Sequence, residues 1–406
     1  MEDLAEVEYR DLDGGITSTP GFSGTGINCG IKDCKRDLAL IYSENPAQLA
    51  AVFTQNQVKA APVIIGQELR ERGLAQALLI NSGNANACTG QEGMENARQT
   101  VEWSAEALGI APELVFPAST GIIGHQLPMD KLKIGIEDIV NSLQPAGGKK
   151  AARAIMTTDT YIKEISLAVE IGGKEVIIGG MAKGSGMIEP NMATMLAFLS
   201  TDLNISQPLL QEALSTAVEE SFNRITVDGE QSTNDTVAIL ANGQAANAEI
   251  TTKDDDYYRF LTVLKIVTKH LAQQIVRDGE GATKFVEIEV LRALTFADAK
   301  LVAKAIANSK LVKTALFGED PNWGRIVAAA GYSGGQVELD RLEIAINGQQ
   351  LFADGLQVAK EEELWDLLAQ DEIKITVDLN LGQGRARVWT CDLSYEYVKI
   401  NAEYHT

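Results

Sequence analysis

Hydrophobic positions switch between a helical and a strand period along this chain, and the switches mark its elements. From Gly93 to Leu108, Met94, Ala97, Val101, Ala105 and Leu108 recur at spacings of 3 and 4, one face of a helix. A second helix is expected from Met129 to Leu143, stopping before Pro145 and Gly147-Gly148. Asn45-Pro46 has the form of an N-cap and first helical residue, so a helix is also expected over Ala47 to Phe53. Ala75 to Ile80 reads as a short apolar strand. Ile165 to Ile171 and Lys174 to Ile178 flank Gly172-Gly173, the two-glycine signal of a hairpin. Further helices are predicted from Pro208 to Asn223 and from Asp255 to Arg277, the latter behind Asp254-Asp255-Asp256, whose charge favours a helix N-terminus. Beyond about Thr283 strands dominate, with hairpin signals at Asn347-Gly348 and Gly382-Gln383-Gly384. No clean βαβ alternation and no internal repeat appear, so the pattern predicts mixed α/β layers with a smaller α+β lobe from about residue 285.

Composition narrows the function classes. A chain of 406 residues, 45% hydrophobic and 22% charged, has ample core volume and excludes both a disulfide-stapled miniature and a disordered chain. The net charge of −21 repels phosphate backbones and anionic lipid, so nucleic acid and membrane partners are not expected. No apolar run approaches the roughly 20 residues of a spanning helix. The acidic start, Met1-Glu-Asp-Leu-Ala-Glu6, is unlike a signal peptide; a cytoplasmic protein is expected. Cys29, Cys34, Cys88 and Cys391 are too scattered for a ligand pair and are expected to be reduced, mostly buried thiols. His125, His270 and His405 never stand four apart, which argues against a zinc-hydrolase helix.

Four stretches rich in Gly, Asn, Ser and Thr adjoin apolar elements: Asn81-Ser-Gly-Asn-Ala-Asn86, Ala118-Ser-Thr-Gly-Ile-Ile-Gly124, Lys183 to Thr194, and Ser221 to Gly229. Small residues in such places let backbone amides approach a ligand closely. No phosphate-loop or dinucleotide fingerprint occurs. Gly331-Tyr-Ser-Gly-Gly335 satisfies GxSxG, but the strand-like Gln336 to Asp340 follows where a nucleophile elbow needs a helix, so Ser333 is read as a chance match. Ala193-Thr194 stands at a loop-to-strand junction before the apolar run Met195 to Leu199. Composition alone leaves two readings open, an ordinary peptide bond, which an internal Ala-Thr nearly always is, and a hydroxyl that attacks the preceding carbonyl so that hydrolysis of the ester leaves Thr194 as a new N-terminus. The α-amine, with a reference pKa of about 7.7–8.0, then serves as general base for a threonine that is otherwise a poor nucleophile.

Taken together these motifs resemble the ornithine acetyltransferase family, whose bifunctional members are also glutamate N-acetyltransferases of arginine biosynthesis. Further matching segments are Thr157-Thr-Asp-Thr160, Gly180-Met-Ala-Lys-Gly-Ser-Gly-Met187, Pro190-Asn-Met-Ala-Thr-Met-Leu196, Phe317 to Arg325 and Tyr397 to Tyr404. The resemblance implies a self-processing sandwich fold cut between Ala193 and Thr194. The α chain would be 1–193; in the β chain 194–406, about 194–284 would complete the main domain and 285–406 form the lobe, two copies of each chain assembling as a heterotetramer. It implies Thr194 as nucleophile, an oxyanion hole at Thr120 and Gly121, and substrate contacts from Thr157, Lys183, Thr194, Glu280, Asn401 and Thr406. The expected reaction passes acetyl from N2-acetyl-L-ornithine to L-glutamate in a ping-pong cycle, with acetyl-CoA a possible further donor; since nucleophile, base and oxyanion donors would all be protein groups, no metal or bound cofactor is implied. Two other readings are a self-processing aminopeptidase or amidase, with water as acceptor, and a non-catalytic amino-acid-binding protein.

Overall fold

The computed structural model describes residues 7–189, 195–359 and 366–403. Strands β1 (Tyr9–Asp11), β2 (Phe22–Ile27), β3 (Leu38–Phe53), β4 (Leu74–Asn84), β5 (Val115–Ile122), β6 (Lys163–Ile171), β7 (Lys174–Lys183), β8 (Leu196–Thr201) and β9 (Thr236–Ala241) form a nine-stranded sheet. Its order is β1-β6-β7-β8-β9-β3-β4-β5, with β2 paired to β3. The apolar character of β8 and β9 follows from their place at the centre. Met195, Ala197 and Leu199 pack into one core cluster while Leu196 and Phe198 pack into another across the sheet. Val237, Ile239 and Ala241 separate in the same way from Ala238 and Leu240. A strand covered on both faces loses polar alternation.

Helices α1 (Ala61–Arg72), α2 (Gly90–Leu108), α3 (Met129–Asn141), α4 (Gly148–Ala154), α5 (Gln207–Glu219) and α6 (Asp255–Arg277) supply the covers. Residues of α5 and α6 fill the first cluster, and those of α1 and α4 the second. Leu132, Ile136 and Ile139 of α3 join Val101 and Ala105 of α2 against Leu38, Leu40, Ala77 and Leu79. A second sheet, from β10 (Phe285–Ala293), β11 (Glu343–Ile346), β12 (Gln349–Ala353), β13 (Leu356–Gln357), β14 (Glu372–Asp378) and β15 (Gly384–Cys391), has the order β13-β12-β11-β14-β10-β15. It packs on α7 (Phe296–Asn308), α8 (Lys310–Phe317) and α9 (Trp323–Gly331). Phe285, Trp389 and Cys391 of this sheet enter the α6 core, and α10 (Tyr395–Glu403) follows β15. The fold is thus a mixed α/β layering, as the pattern predicted, built on two sheets.

Several expectations are corrected. Ala47–Phe53 is the second half of β3, paired with β9 from Gln48↔Ala241 to Phe53↔Thr236. Long-range ladder bonds there outweigh the local Asn-Pro-Ala helix signal. Gly382-Gln383-Gly384 is no hairpin, because β10 lies between β14 and β15 and pairs with both. The stretch after Thr283 is less strand-dominated than its pattern suggests, since α7 to α9 occupy much of 296–331. Gln336 to Asp340 forms no strand and runs into a short 3-10 turn at Leu339–Arg341. Cys34 and Cys88 are exposed and Cys29 half-buried, leaving Cys391 as the buried thiol. Among the described residues, no helix is long and apolar enough to cross a membrane.

Candidate active site

Strand ends and the loops that leave them build the site. β5 ends in Thr120-Gly121-Ile122, β7 ends on Lys183, β8 begins at Leu196, and residues 233–235 lead into β9. Gly121, at φ +134°, lies against β4: a Cβ on it would sit 2.4 Å from the Gly83 carbonyl carbon and 2.6 Å from the Asn84 nitrogen, so only glycine fits. Thr120, Gly121, Thr157, Lys183, Glu280 and Asn401 all line one cavity of about 400 Å³. The structure therefore gathers six of the residues singled out from the sequence. Ala193, Thr194 and Thr406 lie outside the described residues.

The Lys183 ammonium is buried and donates to Thr120 Oγ1 at 3.2 Å. Burial pushes its pKa below the ordinary lysine value, Lys163 adds to the push, and Asp159, Asp235 and Glu280 pull the other way. Accepting from Lys183 leaves the Thr120 hydroxyl proton free to donate elsewhere. Asn401 Nδ2 donates to Glu280 Oε2 at 2.7 Å, joining α10 to the loop after α6. Gly186 permits that arrangement, since a Cβ there would stand 2.4 Å from the Glu280 carboxylate. The cavity thus gathers a lysine bonded to a hydroxyl and a carboxylate held by an amide.

Beneath it lies an ion network that sequence reasoning did not isolate. Lys163, 1% exposed, donates to Asp159 Oδ1 at 2.7 Å and to Asp278 Oδ2 at 2.5 Å. Asp159 also accepts the amides of Thr157 at 2.9 Å and Gly184 at 2.7 Å. Asp278 accepts the Thr160 amide and hydroxyl, and its carbonyl accepts Ser185 Oγ at 2.6 Å. Burial alone would raise Asp159, but Lys163, Lys183 and the Gly184 amide hold it at about 2. Three loops are so fixed around one ammonium. The signal was present only as Asp159 inside the motif Thr157-Thr-Asp-Thr160.

Further polar residues brace the walls from within the loops. Asn81 accepts Ser119 Oγ at 2.6 Å and donates to the Asn84 carbonyl at 2.8 Å. Asn234 donates to the carbonyls of Ala85 at 2.6 Å and Ser119 at 2.8 Å, holding the end of β5. Asp228 accepts the amides of Met187 at 2.6 Å and Ile188 at 2.8 Å. Thr233 and Asn234 went unrecognised as cavity residues, although Ser232-Thr-Asn-Asp235 before an apolar strand repeats the signal used elsewhere. Among the described residues, no cluster of three or more His, Cys, Asp or Glu is arranged to hold a metal.

Residues 23–406 match the model of the ArgJ family. The arginine biosynthesis bifunctional protein ArgJ of Caldanaerobacter subterraneus subsp. tengcongensis is 49% identical over 400 residues, covering 97% of this chain and 99% of that protein. The protein of the same name from Bacillus subtilis is 46% identical over 408 residues and covers 100% of both. A solved chain of ornithine acetyltransferase complexed with ornithine, from Mycobacterium tuberculosis, is 42% identical, with a TM-score of 0.43, over 46% of this chain and 100% of that one.

Proposed function

The chain belongs to the ArgJ family, and from that premise we propose that it is a cytoplasmic acetyltransferase of arginine biosynthesis that moves acetyl from N2-acetyl-L-ornithine to L-glutamate, releasing L-ornithine and N-acetyl-L-glutamate. The observation that carries the reading is the cavity that brings Thr120, Gly121 and Lys183 together with Glu280 and Asn401. An amino acid that is anionic at its α-carboxylate and cationic at its far end matches a site that holds both a lysine and a carboxylate.

In this reading the chain first cuts itself between Ala193 and Thr194. The Thr194 hydroxyl attacks the Ala193 carbonyl, the carbon–nitrogen bond breaks to give an ester and a free Thr194 amine, and water hydrolyses the ester to leave the Ala193 carboxylate and the free Thr194 hydroxyl. The resulting chains, 1–193 and 194–406, stay together and assemble as two of each. In the transferase cycle the Thr194 amine takes the proton of its own hydroxyl, which attacks the acetyl carbonyl of acetylornithine. Negative charge collects on the carbonyl oxygen, where the Thr120 hydroxyl and the Gly121 end of β5 donate to it. The carbon–nitrogen bond breaks, ornithine leaves with the proton, and acetyl remains on Thr194 Oγ1. The amine of glutamate then attacks the ester and carries the acetyl away. Lys183 pairs with the α-carboxylate shared by both substrates, Glu280 with the ornithine side-chain ammonium, and Thr157, Asn401 and Thr406 complete the contacts. Acetyl-CoA is a candidate second donor to the same threonine, and no metal or bound cofactor takes part.

Denaturing intact mass spectrometry, before and after brief incubation with N2-acetyl-L-ornithine, tests this. Two chains divided at Ala193/Thr194, with one acetyl mass added to the C-terminal chain, is the expected result. Thr194→Ala should remain one chain of 406 residues with no transfer. Transfer by that variant, or acetyl passing to water in place of glutamate, would overturn the reading and, in the second case, point to an amidase.

A further inference from the structure

Lys32 has no role in the cycle above, yet its side chain reaches both walls of the cavity from behind. It belongs to the loop 28–37 between β2 and β3, which the buried Asp37 carboxylate shapes. That carboxylate accepts the backbone amides of Cys29 at 2.7 Å, Gly30 at 3.1 Å and Lys32 at 2.9 Å. Asn28 Nδ2 donates to the Lys32 carbonyl at 2.9 Å. Held this way, the aliphatic stem crosses the end of β4: a Cβ on Gly83 would lie 2.9 Å from Lys32 Cγ. Gly83 is the residue against which Gly121 is packed. The ammonium then continues to the Met156 carbonyl, which accepts from it at 2.8 Å, one residue before Thr157.

We propose that Lys32 is a positioning residue for acetyl transfer, clamping the Gly83–Gly121 pair to the Met156–Thr157 segment and adding a second positive charge behind the oxyanion pocket. The proposal rests on the cavity being the acetyl-transfer site. A charge so placed acts on the developing oxyanion through protein, where screening by solvent is weak. Four charged groups act on it: Asp37 and Lys35 from its own loop, Lys183 from the end of β7, and Asp159 from the loop before β6. Burial is the largest influence and lowers the Lys32 pKa to about 8; Lys35 and Lys183 push the same way, Asp37 and Asp159 oppose. The charge is therefore present at pH 7 and lost as pH rises through about 8. An arginine in its place keeps its charge throughout.

The test is kcat and KM for acetyl transfer from N2-acetyl-L-ornithine to L-glutamate, across roughly pH 6 to 10, in the two-chain wild type, Lys32→Arg and Lys32→Met. Taken as a ratio to Lys32→Arg, which shares the titration of the Thr194 amine, wild-type kcat is expected to fall on the alkaline side with a midpoint near 8. Lys32→Arg should retain activity at neutral pH and lose that alkaline fall. Lys32→Met, which keeps the stem over Gly83, should lower kcat roughly tenfold at neutral pH with KM within about twofold, and should also lack the fall. An unchanged kcat profile in Lys32→Met, or an alkaline limb in Lys32→Arg identical to wild type, would overturn the proposal. If Lys32→Met fails to fold, the Lys32→Arg profile decides alone. A purely structural lysine would change melting temperature without removing a titration from kcat. Absence of transfer in the wild type would instead refute the assignment of the cavity.

Discussion

Replacing Lys163 by methionine keeps most of the stem volume and removes the ammonium from between two buried carboxylates. Breaking a buried pair by deleting one partner typically costs about 3–5 kcal/mol, because the remaining charge is left uncompensated. The pH response gives the sharper test. In the wild type Asp159 is held at about 2 against an ordinary 3.8, which amounts to about 2 kcal/mol of stability. That contribution is complete above about pH 4 and is lost as pH falls through about 2. In the variant the influence of burial, which raises Asp159, loses its principal opponent. The carboxyl then takes up a proton more readily in the folded state than in the unfolded chain, so through this group acid stabilises the variant, a contribution that the wild type lacks. With roughly 2.1 cal/mol/K of unfolding entropy per residue, 3–5 kcal/mol moves the melting point of this chain by about 4–6 °C. Differential scanning calorimetry from pH 7 to pH 5 should show that drop at neutral pH, and a partial recovery toward pH 5 in the variant alone. A melting point within about 1 °C of wild type, or parallel pH curves, would refute the reasoning.

Two further substitutions address the cavity. Gly121→Ala forces a Cβ into the Gly83 and Asn84 backbone and should lower kcat by roughly 100-fold or more, with KM for acetylornithine much less affected; steady-state kinetics on folded protein checks this. Asn401→Ala removes the donor that holds Glu280 and should raise KM for acetylornithine about fivefold to tenfold with a smaller change in kcat, read in the same assay.

What was legible in the sequence was what depends on neighbours in sequence. The helix starting at Asp255 is such a case, since the side chain of Asp254 accepts the Tyr257 amide at 3.1 Å, a bond set by local spacing. The Gly172-Gly173 hairpin is another, both residues having positive φ as the turn requires. Ala47–Phe53 was misread because its helix signals are local while its partners, residues 236–241, are nearly two hundred positions away. The Gly382–Gly384 turn was misread because nothing local reveals that β10 separates the strands it joins. The site divides along the same line. Glycine-rich and polar runs beside apolar strands exposed Thr120, Gly121 and Lys183 as residues able to approach a ligand. Lys163 and Asp278, 115 positions apart, look in sequence like any solvated charges, and only the fold makes them one buried unit.

The strand order carries a consequence for how a severed chain behaves. β8 and β9 lie between β7 on one side and β3 on the other, so any nick in the segment joining β7 to β8 leaves the C-terminal fragment wedged inside the N-terminal fragment's sheet. To escape, it must break the ladder from Lys183↔Leu196 to Ile178↔Thr201 and the ladder from Gln48↔Ala241 to Phe53↔Thr236 at once, and bare both apolar faces of its two strands. Neither fragment owns a continuous central sheet. Produced apart, the halves would be sticky, unfinished polypeptides; made as one chain and cut after folding, they are interlocked, and their separation is as slow as global unfolding.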